Sequence, residues 1–198
     1  MDASKGGGYE LNEAVIVIKA QQGDPEAFEQ LYYLYSQSSI RTAFLMTKNL
    51  HTSEDIVQET FVKCYQKLKE LKKPEMFKYW FYKMLIRNCW RYAKKEKEQV
   101  LVENIPEKGA GIALDDIVGT IEMTKEIYRA LSMLSQEHRA VIVLYYYNNM
   151  SIKEIAKTLG CFEGTVKSRL YHGRNQLKKE IEKVYVSEKK FLGKECIL

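Results

Sequence analysis

Ser151 and Glu154 stand in the S-x-x-E spacing of a capping box, in which the hydroxyl accepts from an early helix N–H and the carboxylate reaches back to the cap. A short helix follows. Its apolar positions Ile152, Ile155, Ala156 and Leu159 fall three to four residues apart on one face, and Gly160 supplies the left-handed residue that ends it. After the turn, Val166, Leu170, Gly173 and Leu177 mark a second apolar stripe, with Gly164, Lys167, Ser168, Tyr171 and Asn175 on the other side. This pattern is a helix-turn-helix. The outer face of its second helix carries donors, acceptors and an aromatic edge that could enter a major groove. Between 161 and 183, six Lys/Arg stand against three Glu. The same spacing also suits a solvated helical hairpin in an ordinary α-helical domain.

The 198 residues can bury one sizeable core or two small ones. The formal charge of +5 is unevenly placed. Residues 1–66 hold five Lys/Arg and nine Asp/Glu, residues 67–97 eleven Lys/Arg and three Glu, and residues 98–130 three Lys/Arg and seven Asp/Glu. A basic block between acidic ones points to a polyanion-binding surface and a separate surface for another partner, although charged helix faces are also often merely solvated. Cys64, Cys89, Cys161 and Cys196 lie far apart without metal-ligand spacing and read as reduced thiols. The apolar run Ala14 to Ile18 is too short for a secretory or membrane segment, and Cys196 has only two residues after it, which excludes a C-a-a-X signal. A cytoplasmic location is expected. His51, His138 and His172 are far apart in sequence, and no H-E-x-x-H, G-x-S-x-G or phosphate-loop pattern occurs, so neither catalysis nor a metal or cofactor is expected.

Along the chain, residues 1–11 read as a flexible N-terminus, and Leu11 to Ala20 as a short helix stopping at Gly23. Asp24 and Pro25 restart the chain as cap and first-turn proline. Ala27, Phe28, Leu31, Leu34 and Tyr35 then give a long core helix continuing through Phe44 and Leu45 to Leu50, with Tyr32 and Tyr33 read as packing. Thr52 or Ser53 can cap the next helix, whose Ile56, Val57, Phe61, Cys64, Tyr65 and Leu68 face the core. Asp55, Gln58 and Glu59 project from its start, where acidic groups complement the helix dipole. Pro74 closes a loop before a basic helix, Met76 to Lys97, whose buried stripe is Phe77, Trp80, Phe81, Met84, Leu85 and Asn88. Another side carries Tyr79, Lys83, Arg87, Trp90 and Lys94, cations interleaved with rings as unstacked single strands require, though Trp90 could equally cap a core edge. Periodicity fails over 98–119, where Pro106, Gly109, Gly111 and Gly119 indicate a linker, with a short helical piece near Leu114 to Val118. Glu122 to Met133 opens a second domain, Ser135 caps its next helix, and 186–198 is a tail. The expected fold is all-α: two small helical domains, 12–97 and 120–185, joined by a flexible linker.

Ser151 through Leu170, with G-T-V-K-S-R-L at 164–170, resembles the promoter-reading C-terminal domain (region 4) of bacterial RNA polymerase sigma factors of the extracytoplasmic-function group in the sigma-70 family. A second match lies in the other half. Asp55 to Phe61 is similar to the D-x-x-Q-E-x-F segment with which the N-terminal sigma domain (region 2) holds the coiled coil of the polymerase's largest subunit, and the order Phe77, Trp80, Arg87, Asn88 resembles the helix that engages the minus-10 element. The resemblance implies a monomeric initiation factor that binds core RNA polymerase through Asp55, Gln58 and Glu59 and reaches the β-flap tip with its second domain. It implies minus-10 contacts from Lys72, Lys73, Tyr79, Lys83, Arg87, Asn88, Trp90, Arg91 and Lys94, with the loop at about Leu71 to Glu75 helping to capture a flipped base. Minus-35 contacts would come from Gly164, Thr165, Lys167, Ser168, Arg169, Tyr171, His172 and Arg174. His172 stands where an Arg is commoner, and Phe162 and Glu163 replace the frequent Pro-led start, which leaves the upstream preference open. The linker would thread near the RNA exit path, and an anti-sigma factor is an expected partner. Two other readings remain: a dimeric helix-turn-helix regulator acting without polymerase, and an adaptor that reads no DNA.

Overall fold

The computed structural model describes residues 7–100 and 125–192, with side chains for 13–95 and 127–183. Among the described residues every regular element is helical: α1 Gly7–Gln21, α2 Pro25–Thr47, α3 Leu50–Lys67, α4 Phe77–Val100, α5 Lys125–Ser132, α6 Gln136–Ile142, α7 Ile152–Leu159 and α8 Glu163–Leu192. Two 3-10 turns, Leu68–Glu70 and Pro74–Met76, join α3 to α4. The chain forms two compact units, one holding α1 to α4 and the other α5, α6 and α8 with most of α7. No helix among the described residues is long and apolar enough to cross a membrane. Of the expected linker, residues 101–119, with the helical piece near Leu114 to Val118, lie outside the described residues, as do residues 193–198 of the tail. Helix extends into both ends: α1 begins at Gly7, within the stretch read as flexible, and α8 runs on into the tail to Leu192 because no Gly or Pro between Gly173 and Gly193 breaks it.

In the first unit, Asp24 caps α2 by accepting from the Glu26 and Ala27 amides at 3.0 and 3.2 Å, and Pro25 occupies the first turn. α2 ends one turn earlier than its apolar pattern suggests, since Lys48 turns left-handed (φ 68°) and its N–H bonds to the Phe44 carbonyl at 2.8 Å. Asn49, not Thr52 or Ser53, then caps α3, its Oδ1 accepting from Thr52 N at 3.0 Å. Ser53 lies a turn further in, buried, with its hydroxyl bonded back to the Asn49 carbonyl.

Rings from three helices fill the core. Phe61 meets Phe81 at 4.9 Å between centroids, and Tyr35 meets Phe77 and Phe81 at 5.3 and 5.2 Å. The buried line of α2 runs Ala27, Leu31, Tyr35, Ser39, Thr42, so Leu34 is turned by about 100° from it and is 59% exposed. Tyr65 is likewise off the α3 line and 63% exposed, its ring edge-on to Phe28 at 5.0 Å. Tyr32 and Tyr33 are also exposed, although Tyr32 keeps one face on Phe61 at 4.8 Å. α4 buries a wider face than expected: Tyr82, Ile86 and Cys89 join Phe77, Phe81, Leu85 and Asn88, while Trp80 and Met84 move to its half-buried flank. The cause is that α4 packs on α2 and α3 together, with the Tyr82 hydroxyl donating to Ser38 Oγ at 3.1 Å.

In the second unit, Ser135 caps α6 by accepting from the His138 amide at 3.3 Å. Arg139 is 7% exposed, and its guanidinium donates to the carbonyls of Leu131, Ser132 and Leu134 at 2.9, 2.7 and 3.0 Å. Carbonyls at the end of α5 and in the turn after it thereby gain donors where a helix terminus is short of them. α6 passes into a π turn, Val143–Tyr147, in which Asn148 N reaches the Val143 carbonyl at 3.1 Å. α7 has both halves of its capping box, Glu154 N to Ser151 Oγ at 3.3 Å and Ser151 N to Glu154 Oε2 at 2.7 Å, and Gly160 ends it at φ 67°. Val166, Leu170 and Gly173 of α8 are buried, with Leu177 half-buried.

Burial pulls the Arg139 pKa below its ordinary value, because the charge loses water, and the carbonyl fork offsets that loss. Replacing Arg139 with Met should strand the fork and destabilise the second unit by about 2–3 kcal/mol. Hydrogen exchange of the α5 and α6 amides is the check, and protection there should fall by roughly thirty- to a hundred-and-fifty-fold while α2 to α4 keep theirs.

Candidate nucleic-acid interface

α8 presents the outer face its spacing predicts. Gly164, Lys167, Ser168, Tyr171, His172 and Arg174 are exposed, and Thr165 and Arg169 half-buried, around the buried stripe. Gly173 allows α8 to lie close on α6: a Cβ there would sit 3.1 Å from Ile142 Cγ1. Further contacts join residues far apart in sequence. The His172 ring stacks on His138 at 6.3 Å and 25°, and the Arg174 guanidinium lies 5.3 Å from the Tyr145 ring and 5.4 Å from that of Tyr146. Spacing alone gave no reason to place Tyr145 and Tyr146 beside α8.

In the first unit, Lys72 and Lys73 are exposed between the two 3-10 turns. Along α4, Arg87, Arg91 and Lys94 are exposed, while Tyr79, Lys83 and Trp90 are half-buried. The Trp90 indole nitrogen is buried without a hydrogen-bond partner among the described residues. Asn88 corrects the expectation of a DNA contact. It is 5% exposed, its amide donates to Thr60 Oγ1 at 2.8 Å, and its oxygen accepts from Lys63 Nζ at 2.9 Å, so it braces α4 against α3 and has no face to offer a strand.

On α3, Asp55 and Gln58 are exposed and Glu59 half-buried. Glu59 is ion-paired with Lys63 at 2.6 Å and with Arg91. A residue of the acidic group is thus joined directly to one of the basic group on α4. Hydrogen bonding from Arg91, seconded by Lys63, holds the Glu59 carboxyl at about 2 against an ordinary 4.5. Cys64 and Cys89 are buried thiols, both pushed up to about 12 by loss of water, and are unreactive. No cluster of His, Cys, Asp or Glu able to hold a metal occurs among the described residues.

Residues 31–99 match the family model described as sigma-70 region 2, and residues 124–177 match that of sigma-70, region 4. The chain is 28% identical over 174 residues, 82% of its length and 93% of the relative's, to the ECF RNA polymerase sigma factor SigW of Bacillus subtilis. The chain belongs to the extracytoplasmic-function group of the sigma-70 family. The RNA polymerase sigma factor SigV of Bacillus subtilis is 29% identical over 157 residues, 74% of this chain and 88% of that one. Among solved structures, CnrH in complex with the cytosolic domain of CnrY aligns with a TM-score of 0.64 at 21% identity, over 86% of this chain and 97% of that one. The sigma factor RpoE, in complex with the anti-sigma factor NepR from Bartonella quintana, aligns with a TM-score of 0.61 at 24% identity, over 78% and 96%. At these identities the two structures establish the fold. As a family member, the chain is a sigma-type transcription initiation factor, of a class that is not enzymatic.

The Glu59 pair sets a pH dependence. Its folded pKa lies below the unfolded value, so the folded state binds fewer protons, and the stabilisation is full above about pH 4.5 and lost as pH falls toward about 2. Arg91→Ala should flatten the stability curve of the first unit in that window and leave its slope above pH 5 unchanged, as urea midpoints measured from pH 2 to 6 would reveal.

Proposed function

We propose that this sigma factor reads the minus-35 element as duplex with α8 and captures the opened minus-10 element along α4, while Asp55, Gln58 and Glu59 of α3 hold the coiled coil of the polymerase's largest subunit. The observation that carries this reading is the outer face of α8, where Lys167, Ser168, Tyr171 and Arg174 are exposed over the buried Val166, Leu170 and Gly173. A helix of this kind fits a major groove of about 12 Å. Ser168 and Tyr171 read base edges; Lys167, Arg169 and Arg174 meet phosphates; Gly164, Thr165 and His172 line the approach.

On α4, Lys83, Arg87, Arg91 and Lys94, with Lys72 and Lys73 ahead of them, follow the backbone of a single strand, and Tyr79 and Trp90 offer ring edges to bases. Asn88 is left out of this group. Flipping a base costs a few kcal/mol, which the loop at about Leu71 to Glu75, the α8 contacts and polymerase together offset, so neither ATP nor a cofactor is called for. The second unit reaches the β-flap tip, the factor acts as a monomer in the cytoplasm, and the segment between the units runs near the RNA exit path. CnrH and RpoE were each solved with a protein partner, the cytosolic domain of CnrY and the anti-sigma factor NepR, and an anti-sigma factor is inferred here too.

Co-elution with core RNA polymerase, followed by transcription from a genomic fragment pool, tests the division of labour. The wild type should bind polymerase and yield promoter-specific transcripts, and an Asp55→Ala/Gln58→Ala/Glu59→Ala triple variant should lose both. A wild type that ignores polymerase yet binds duplex DNA, as a dimer at a palindrome, would establish the regulator reading instead.

Within the holoenzyme, Lys167→Ala should weaken promoter binding and lower the salt slope of log K by about 0.9, the value for one lost phosphate contact. Substitutions at Ser168 or Tyr171 should instead change the ranking among promoters at a nearly constant slope. Uniform loss across all promoters would contradict base reading by these two residues.

A further inference from the structure

Arg174 is held by two aromatic rings that no motif singles out. Tyr145 and Tyr146 lie in the π turn that follows α6, braced edge to face with centroids 5.0 Å apart. The Arg174 guanidinium lies 5.3 Å from one ring and 5.4 Å from the other. Two independent features make this approach possible. The π turn adds a residue to the helical turn and places consecutive tyrosines toward α8, and Gly173, beside Arg174, allows α8 to close on Ile142 where a Cβ would come within 3.1 Å.

The position of Arg174 along α8 gives the seat a purpose. Lys167, Tyr171 and Arg174 follow one another at spacings of four and three residues on the same exposed face. Seven residues of α-helix advance about 10 Å, close to the width of a major groove. When the start of α8 enters the groove, Arg174 therefore stands near its wall, where the phosphates run. A guanidinium resting on a ring keeps its in-plane N–H groups available, and those groups match a phosphate two at a time.

We propose that Tyr145 and Tyr146 are positioning residues for promoter binding: they form a two-ring seat that holds the Arg174 guanidinium at the groove edge, with its N–H groups toward a phosphate of the minus-35 duplex. This deepens the promoter-reading proposal above and rests on it. The seat lowers the cost of ordering a long, exposed side chain and leaves base preference to residues nearer the start of α8.

The test is a double-mutant cycle on the full chain bound to core polymerase. The probe is a promoter fragment that the wild-type holoenzyme transcribes, titrated between 50 and 200 mM salt, the range over which phosphate contacts tell. Arg174→Ala should reduce affinity and lower the salt slope by about 0.9. Tyr145→Leu/Tyr146→Leu should cost about two- to five-fold in the wild-type background and nothing further in the Arg174→Ala background. Tyr145→Phe/Tyr146→Phe keeps the rings and should bind as wild type does, which separates the seat from hydroxyl chemistry and from unfolding. Additive losses, Phe variants as weak as the Leu variants, or an unchanged slope in Arg174→Ala would each overturn the seat. A wild-type holoenzyme that fails to retain the fragment would instead overturn the promoter-reading proposal, and the seat with it.

Discussion

The contact between α3 and α4 is the joint on which the first unit depends, because it is both part of the aromatic core and the crossing point of its two charged surfaces. On the apolar side, Phe61 and Phe81 meet at 4.9 Å and Tyr35 completes the cluster. On the polar side, Asn88 spans from Thr60 to Lys63, and Glu59 binds both Lys63 and Arg91. Ring packing sets the distance between the helices, and the polar contacts set their rotation. An amide buried in this way must keep its partners, since leaving one polar group unmatched costs about as much as a whole hydrogen bond gains. The exposed positions of α3 and α4 are therefore fixed relative to each other, and a partner docking on one finds the other already in place.

The second unit solves a similar problem with less material. Its helices α5, α6 and α7 are short, and short helices have a large share of unmatched end groups. Arg139 matches three carbonyls at the end of α5 and in the turn after it, Ser135 and Ser151 cap the helices that follow, and Gly160 turns the chain into α8. What remains for α8 is one buried side, on which Val166, Leu170 and Gly173 lie, and one free side. The free side can carry Lys167, Ser168 and Tyr171 because none of them is needed for the fold.

Much of this was legible in the sequence wherever a local rule acts alone. The capping box at Ser151, the glycine turn, the Asp24 cap and the stripe of α8 all depend on residues within one or two turns, and the structure has them as read. The differences arise where a second helix decides. Thr52 and Ser53 are reasonable caps in isolation, but Lys48 turns left-handed and brings Asn49 into that place. Leu34 and Tyr65 fit a stripe by spacing, yet the packing angle leaves them outside it. Asn88 resembles a DNA-contacting position by its place in a motif, whereas its burial beneath Lys63 depends on α3 and cannot be seen from α4. For the same reason Tyr145 and Tyr146 could not be placed beside Arg174: the π turn and the close approach at Gly173 are properties of two helices together.

Magnitudes decide what the pair between Glu59 and Arg91 can do. With Arg91 about half exposed and Glu59 about a quarter exposed, solvent screens the attraction, and such pairs contribute at most about 1 kcal/mol. That is too little to lock Arg91 away from a nucleic-acid strand, because a phosphate contact offers a comparable or larger charge-assisted bond. It is enough to orient the side chain before a partner arrives, sparing part of the entropy that an unrestrained arginine loses on binding. A partner that drew Glu59 to itself would leave Arg91 oriented by α4 and the Tyr92 ring, 5.3 Å from its guanidinium, with its full charge available. The pair is therefore better understood as a brace between two surfaces than as a latch on either, and its modest strength would let both engage a partner.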